Sequence, residues 1–205
     1  MSALYQAFLN TSSNHSRDAN MISTCWDEIL KAYSEPSRTY HNLHHLHHFL
    51  EQVTSVKHLV HEWDCVIFSL VYHDFICDPL ATDNESRSAA LAAMRLTALN
   101  VPAEKINLCR EMIMATRGHY RHEHGDINFF TDADLAILGA TPSAYGAYMN
   151  AVRKEYALVP ESVYRAGRIK ILKHFLALAE IYKTPEFRRR YEAQARENML
   201  KEVNT

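Results

Sequence analysis

In Trp63-Asp64-Cys65-Val66-Ile67-Phe68-Ser69-Leu70-Val71-Tyr72-His73-Asp74 an apolar run ends in an imidazole beside a carboxylate. From Val66 to Tyr72 only Ser69 is polar, and a segment apolar on every side is buried rather than half exposed. His73 and Asp74 therefore end a core helix. Burying such a pair is costly unless each member is hydrogen-bonded, paired or bound to a metal, so the rest of the chain is expected to supply its partners.

Upstream, Leu46, Phe49, Leu50, Val53, Val56 and Val60 recur at a helical period, which predicts an amphipathic helix from His41 to about Val60. At about 100° per residue, His45 lies closest to the apolar stripe and His41 at its edge. His44 and His48 share the face of Glu51 and Ser55 and are expected to be solvated, and His47 and His58 also point away from the stripe. Downstream, Ile106, Cys109, Met112, Ile113 and Thr116 mark one side of a further helix, and His119 continues that line. Gly118 to Asn128 reads as a loop. The stretch Phe129 to Gly139 comes next, with Asp132 and Asp134 as carboxylates that a helix start accommodates, Asp132 as the N-cap, and Gly139 suited to ending the helix.

The remaining pattern is helical too. Met21 to Tyr33, Ser86 to Leu99, Ser143 to Tyr156, Ser162 to Tyr182 and Pro185 to Val203 each read as helices, the last with Thr184 as N-cap and Pro185 at its first position. No strand alternation or internal repeat is visible, and 5 Gly and 6 Pro in 205 residues are few for a turn-rich β fold. The expectation is one all-α domain, a helical bundle over residues 1–205.

Bulk properties narrow the function classes. A net charge of −2 with mixed signs gives no footprint for nucleic acid or an anionic membrane. No stretch has about 18 consecutive apolar residues, and the first residues lack the features of a signal peptide, so a cytoplasmic location is expected. Cys25, Cys65, Cys77 and Cys109 form no CxxC and read as reduced thiols. Arg153-Lys154-Glu155-Tyr156 and Arg188-Arg189-Arg190 read as ordinary solvated charge runs. Tyr145, Tyr148 and Tyr156 read as core residues. Assembly of the chain with copies of itself is left open.

His45, the His73-Asp74 pair, and Asp132 or Asp134 together make a mixed nitrogen and oxygen donor set. It suits Mn, Fe, Co, Ni or Zn, and suits Mg less well. Four stretches carry a resemblance: Arg38-Thr39-Tyr40-His41-Asn42-Leu43-His44-His45, Tyr72-His73-Asp74, Asp83-Asn84-Glu85-Ser86-Arg87-Ser88, and Asp132-Ala133-Asp134-Leu135-Ala136-Ile137-Leu138-Gly139. In order and context they resemble the HD superfamily of metal-dependent phosphohydrolases, and within it an uncharacterised branch. The similarity spans about residues 33–196.

The resemblance implies an HD-type bundle holding a divalent metal through His45, His73, Asp74 and Asp134, Asp134 being preferred to Asp132. It implies hydrolysis of a phosphoester, in a nucleotide or similar small phosphorylated metabolite, by water activated on the metal. Asp74 would also take part in proton transfer, Glu85 would act as orienter or acid/base, and Arg38 or Arg117 would clamp phosphate. His41, His119 and Asp132 are further candidates for ligands or substrate contacts. Two alternatives are a di-iron oxygenase of the same fold and a non-catalytic module that binds a metabolite or a partner.

Overall fold

A computed structural model describes residues 2–205. Among them the chain forms ten α-helices, two 3-10 turns and no strand. Helices α1 (Ala3–Ser13) and α2 (Ala19–Tyr33) precede α3 (Leu43–Ser55), and α4 (Trp63–Tyr72) follows. Next come α5 (Asn84–Ala98), α6 (Ala103–Ala115) and α7 (Gly125–Asp134), the last running into a 3-10 turn, Leu135–Gly139. The chain ends with α8 (Pro142–Glu155), α9 (Glu161–Ala177) and α10 (Pro185–Asn204).

Helix α4 is the centre of the bundle. Cys65 to Tyr72 are all buried, and the helix packs against α1, α3, α5, α6 and α7. This is the arrangement its apolar run requires, since a helix without a polar face needs neighbours on every side. Ser69, its one polar interruption, donates to the Cys109 carbonyl at 3.3 Å, so the hydroxyl is not stranded. The start of α4 is tied from outside: buried Asp126 of α7 accepts the backbone N–H groups of His61 and Glu62, the latter at 2.7 Å.

Three boundaries differ from expectation. Helix α7 begins at Gly125, inside the stretch read as a loop, because His124 accepts the Asp126 N–H as cap and Asn128 bonds back to the backbone of His122. Asp132 and Asp134 consequently close a helix instead of opening one, and Asp132 does not cap its own helix. Helix α9 stops at Ala177, short of Tyr182, because the following backbone is claimed by α10. Glu192 accepts Ile181 N and Tyr182 N, and Arg196 donates to the carbonyls of Leu176, Leu178 and Ala179. The amphipathic helix of residues 41–60 is shorter too, with α3 ending at Ser55 and a 3-10 turn over Lys57–Leu59.

Gly139 serves close packing. A Cβ there would lie 2.6 Å from Tyr191 Cβ and 2.7 Å from Tyr191 O, so only glycine lets α10 pass this near. The four cysteines are free, three of them buried. No helix among the described residues is long and apolar enough to cross a membrane.

Candidate metal centre

The ends of several helices converge on one point. His45 stands in the first turn of α3, whose N-cap Asn42 accepts the His44 N–H at 2.9 Å. His73 is the C-cap of α4, its N–H still donating to Ser69 O at 2.8 Å. Asp74 follows it, and Asp134 is the last residue of α7. The 73–75 turn is fixed from below. Arg38 donates to the carbonyls of Asp74 at 2.6 Å and Phe75 at 2.7 Å, and the Tyr33 hydroxyl accepts the Asp74 N–H at 3.2 Å.

These elements bring four side chains together. His45 Nε2 lies 3.1 Å from His73 Nε2, which is 3.0 Å from Asp74 Oδ2. His45 Nε2 is 3.7 Å from Asp74 Oδ2 and 3.5 Å from Asp134 Oδ1, and His73 Nε2 is 3.7 Å from the same Asp134 oxygen. Metal–ligand bonds of about 2.0–2.2 Å set neighbouring donor atoms roughly 3.0–3.5 Å apart, a spacing met by the His45–His73 and His73–Asp74 pairs, while Asp134 stands slightly farther out. His45, His73 and Asp74 form a group that could hold a metal ion. His73 Nδ1 faces the Leu70 carbonyl at 2.9 Å. That oxygen can only accept, so Nδ1 carries a hydrogen and Nε2 is the nitrogen turned to the cluster, the orientation metal-binding histidines require. His45 has no such bond. Its Nδ1 is buried without a partner, and its ring is held by packing near Tyr40 and Phe49.

Electrostatics show how tightly the donors are coupled without an ion. Burial pushes the Asp74 carboxyl up, but His73 and His41 beside it outweigh burial and hold it well below the usual carboxylate range. Burial lowers His73, and Asp74 and then Asp134 lift it to about 8. Burial, with the Asp74 charge adding to it, raises Asp134 to about 6. Burial and the neighbouring His73 push His45 well below its ordinary value.

His41 stands beside this cluster, its Nε2 3.9 Å from Asp74 Oδ2. Its Nδ1 meets Glu155 Oε2 at 2.6 Å, while Glu155 Oε1 accepts the N–H groups of Tyr40 and His41 at 2.7 and 2.8 Å. Glu155 is therefore no part of a solvated charge run; its side chain is 4 % exposed. Nothing in its local sequence separated it from Lys154, because its partners are 114 and 115 residues away. His119 approaches the other oxygen of Asp134 at 3.5 Å. It adopts φ 51°, a left-handed conformation that costs a non-glycine residue on the order of 1 kcal/mol. Burial and the nearby Lys183 push His119 down to about 3.

Other predicted residues lie elsewhere. Asp132 is fully buried and accepts Lys183 N, Thr184 N and Thr184 Oγ1 at 2.7–2.9 Å, with Lys183 Nζ at 2.9 Å. It anchors the start of α10, where Thr184 is the expected N-cap position. Arg38 is buried, and its terminal nitrogens serve backbone carbonyls, so it fastens the 73–75 turn instead of clamping phosphate. Glu85 is half-buried in the first turn of α5 and joins none of the site contacts. Arg117 is exposed beside Gly118 and Tyr120.

A cavity of about 170 Å³ opens on the cluster, with Asp134, His119, His41, Tyr40 and Arg168 among its walls. Arg168, which carries no local mark in the sequence, is held by Glu202 at 2.8 Å and donates to the Tyr148 hydroxyl at 2.8 Å. No family model, curated protein or solved structure matches this chain.

Proposed function

We propose that the chain is a metal-dependent phosphohydrolase of the HD type, acting on a nucleotide or a similar small phosphorylated metabolite. The observation that carries this reading is the convergence of two imidazole nitrogens and an adjacent carboxylate within one buried cluster, on residues that fall in the HD order. His45, His73, Asp74 and Asp134 would hold the ion. When bound, a divalent ion supplies Lewis acidity, lowering the pKa of a coordinated water and polarising a phosphoryl oxygen.

The chain's own groups support the rest of the chemistry. Asp74 keeps 26 % of its side chain exposed, so solvent can reach it and it can accept a proton as water attacks phosphorus. His41, held by Glu155 at Nδ1, lines the cavity with its Nε2 3.9 Å from Asp74 Oδ2, and from there it can donate to a leaving-group oxygen. Arg168 lines the same cavity and adds positive charge for an anionic substrate, balanced by Glu202.

His119 beside the second oxygen of Asp134 supports a second reading, in which these two residues would help hold a further ion, as the di-iron alternative needs. Metal analysis of purified protein after Mn, Ni or Fe loading, combined with a phosphoester panel on wild type and Asp74→Ala, tests both readings. One ion per chain and a phosphatase activity abolished in Asp74→Ala support the hydrolase. Two irons with oxygen consumption support the oxygenase. Protein that takes up no metal and cleaves no phosphoester removes both.

A further inference from the structure

A second cavity, of about 500 Å³, adjoins the site and shares His41, Tyr148 and Arg168 with the smaller one. Its size falls within the range of small-molecule pockets. Val152, Val159, Val163 and Ile171 line it together with Tyr156 and Tyr164. The only ionisable groups on its walls besides the tyrosines are His41 and Arg168, and each is already paired, with Glu155 and Glu202. No carboxylate, amide or aliphatic hydroxyl faces the space. The hydrogen-bonding side chains on its walls are the Tyr148, Tyr156 and Tyr164 hydroxyls with the paired His41 and Arg168, so most of a bound group's surface would meet apolar side chains, which disfavours a polyhydroxylated group and favours a flat ring. Tyr156 and Tyr164, their centroids 5.6 Å apart, supply aromatic surface for such a ring.

Two features leave the space open. Val163, Ile171 and Leu80 on its walls remain 60 %, 51 % and 70 % exposed, an apolar rim that folding alone leaves uncovered. Gly167 lies in the interior of α9 on the same wall, and a Cβ there would meet nothing within 4 Å. Glycine is among the poorest residues for a helix interior, and here neither close packing nor a positive φ calls for it. Its effect is to leave the pocket wall bare.

We infer that this cavity is the subsite for an uncharged aromatic ring of the substrate, placed so that its phosphate reaches the metal centre. The inference rests on the phosphohydrolase reading and adds the class of group that reading leaves unspecified. Tyrosine hydroxyls are the groups on these walls that can bond the edge of the ring, and the rest of the recognition is by shape and stacking.

The test is equilibrium binding to Mn-loaded protein of three phosphonates that cannot be hydrolysed: methyl-, cyclohexylmethyl- and benzylphosphonate. Benzylphosphonate is expected to bind about tenfold more tightly than methylphosphonate, from ring burial and stacking, with cyclohexylmethylphosphonate between them. Gly167→Leu, which adds a good helix former and fills the space, should erase the advantage and leave methylphosphonate unchanged. Gly167→Ala should keep it. Equal binding of benzyl- and methylphosphonate, or an advantage that survives Gly167→Leu, overturns the subsite and leaves the metal reading standing. Equal binding of the benzyl and cyclohexylmethyl compounds overturns its aromatic character. Absence of binding by any phosphonate overturns the phosphohydrolase reading and the subsite with it.

Discussion

His45 and His73 turn their Nε2 atoms toward each other at 3.1 Å inside the core. Two lone pairs at that separation repel, so something positive must lie between or beside them. Because His73 Nδ1 already serves Leu70 O, only two candidates exist: a proton on an Nε2, or a metal ion bound by both. Without an ion the proton sits on His73 and leans on Asp74 Oδ2 at 3.0 Å. With one, the same atoms become ligands.

Metal uptake should therefore stabilise the fold. A ligand that binds only the native state adds about 2.7 kcal/mol at a free concentration of 100 times its Kd. Thermal melts with excess Mn, Ni or Zn are expected to shift upward for wild type, and not for His73→Ala or Asp74→Ala. An equal shift in all three proteins would place binding elsewhere on the chain.

The pH dependence follows from the same proton. His73 is raised from 6.5 to about 8, so in the ion-free protein its stabilising contribution is fully present below about 6.5 and is lost as pH rises through about 8. Asp134, raised from 3.8 to about 6, acts in the same direction at lower pH: protonation of the native state stabilises it, and that contribution is lost as pH rises through about 6. Metal binding must displace the His73 proton, so affinity should rise about tenfold per pH unit up to about pH 8. The gap between ion-loaded and ion-free melting temperatures should widen from pH 6 to pH 8. A gap that stays constant would mean that His73 does not bind the ion.

The two aspartates of Asp132-Ala133-Asp134 should behave oppositely. Asp132→Ala leaves a buried ammonium on Lys183 and the N–H groups of Lys183 and Thr184 without their acceptor, a loss of about 3–5 kcal/mol for the broken ion pair alone. Metal content of whatever remains folded should be near normal. Asp134→Ala removes a carboxylate that burial already destabilises, so its melting temperature without metal should hold or rise while metal affinity falls. Urea melts and metal analysis on both variants decide this, and the reverse pattern would exchange the two assignments.

How much of this was legible depends on how far each residue's partners lie along the chain. His73-Asp74 stood out because an apolar helix such as Cys65–Tyr72 has one possible environment. His45 followed from helical periodicity, a local property. Asp132 and Asp134 read as a pair, but nothing local marks their place at the end of α7. The caps that start that helix at Gly125 are a histidine and an asparagine in a stretch whose composition reads as loop. Arg38 was singled out as a cation, yet its work on the Asp74 and Phe75 carbonyls depends on packing 36 and 37 residues away. Glu155 and Arg168 were invisible for the same reason. A charged residue in a mixed-charge run carries no local mark of burial, and only tertiary structure turns it inward.

Glu155 gives the sharpest separation between positioning and metal binding. Its Oε1 holds two backbone N–H groups and its Oε2 holds His41 Nδ1; burial raises its carboxyl, but the His41 ring and those backbone N–H groups together lower it further, so it stays ionised beside that ring. Glu155→Gln keeps an acceptor for the backbone but loses the charge opposite His41, and should cost about 1–3 kcal/mol of stability. If His41 protonates the leaving group, kcat on a phosphoester with a poor leaving group should fall by about 10²-fold. With a good leaving group, which departs without a proton, kcat should barely change, and metal content should be unaffected in both cases. Equal losses on the two substrates would instead make Glu155 a brace for the chain around Tyr40 and His41, with no part in proton transfer.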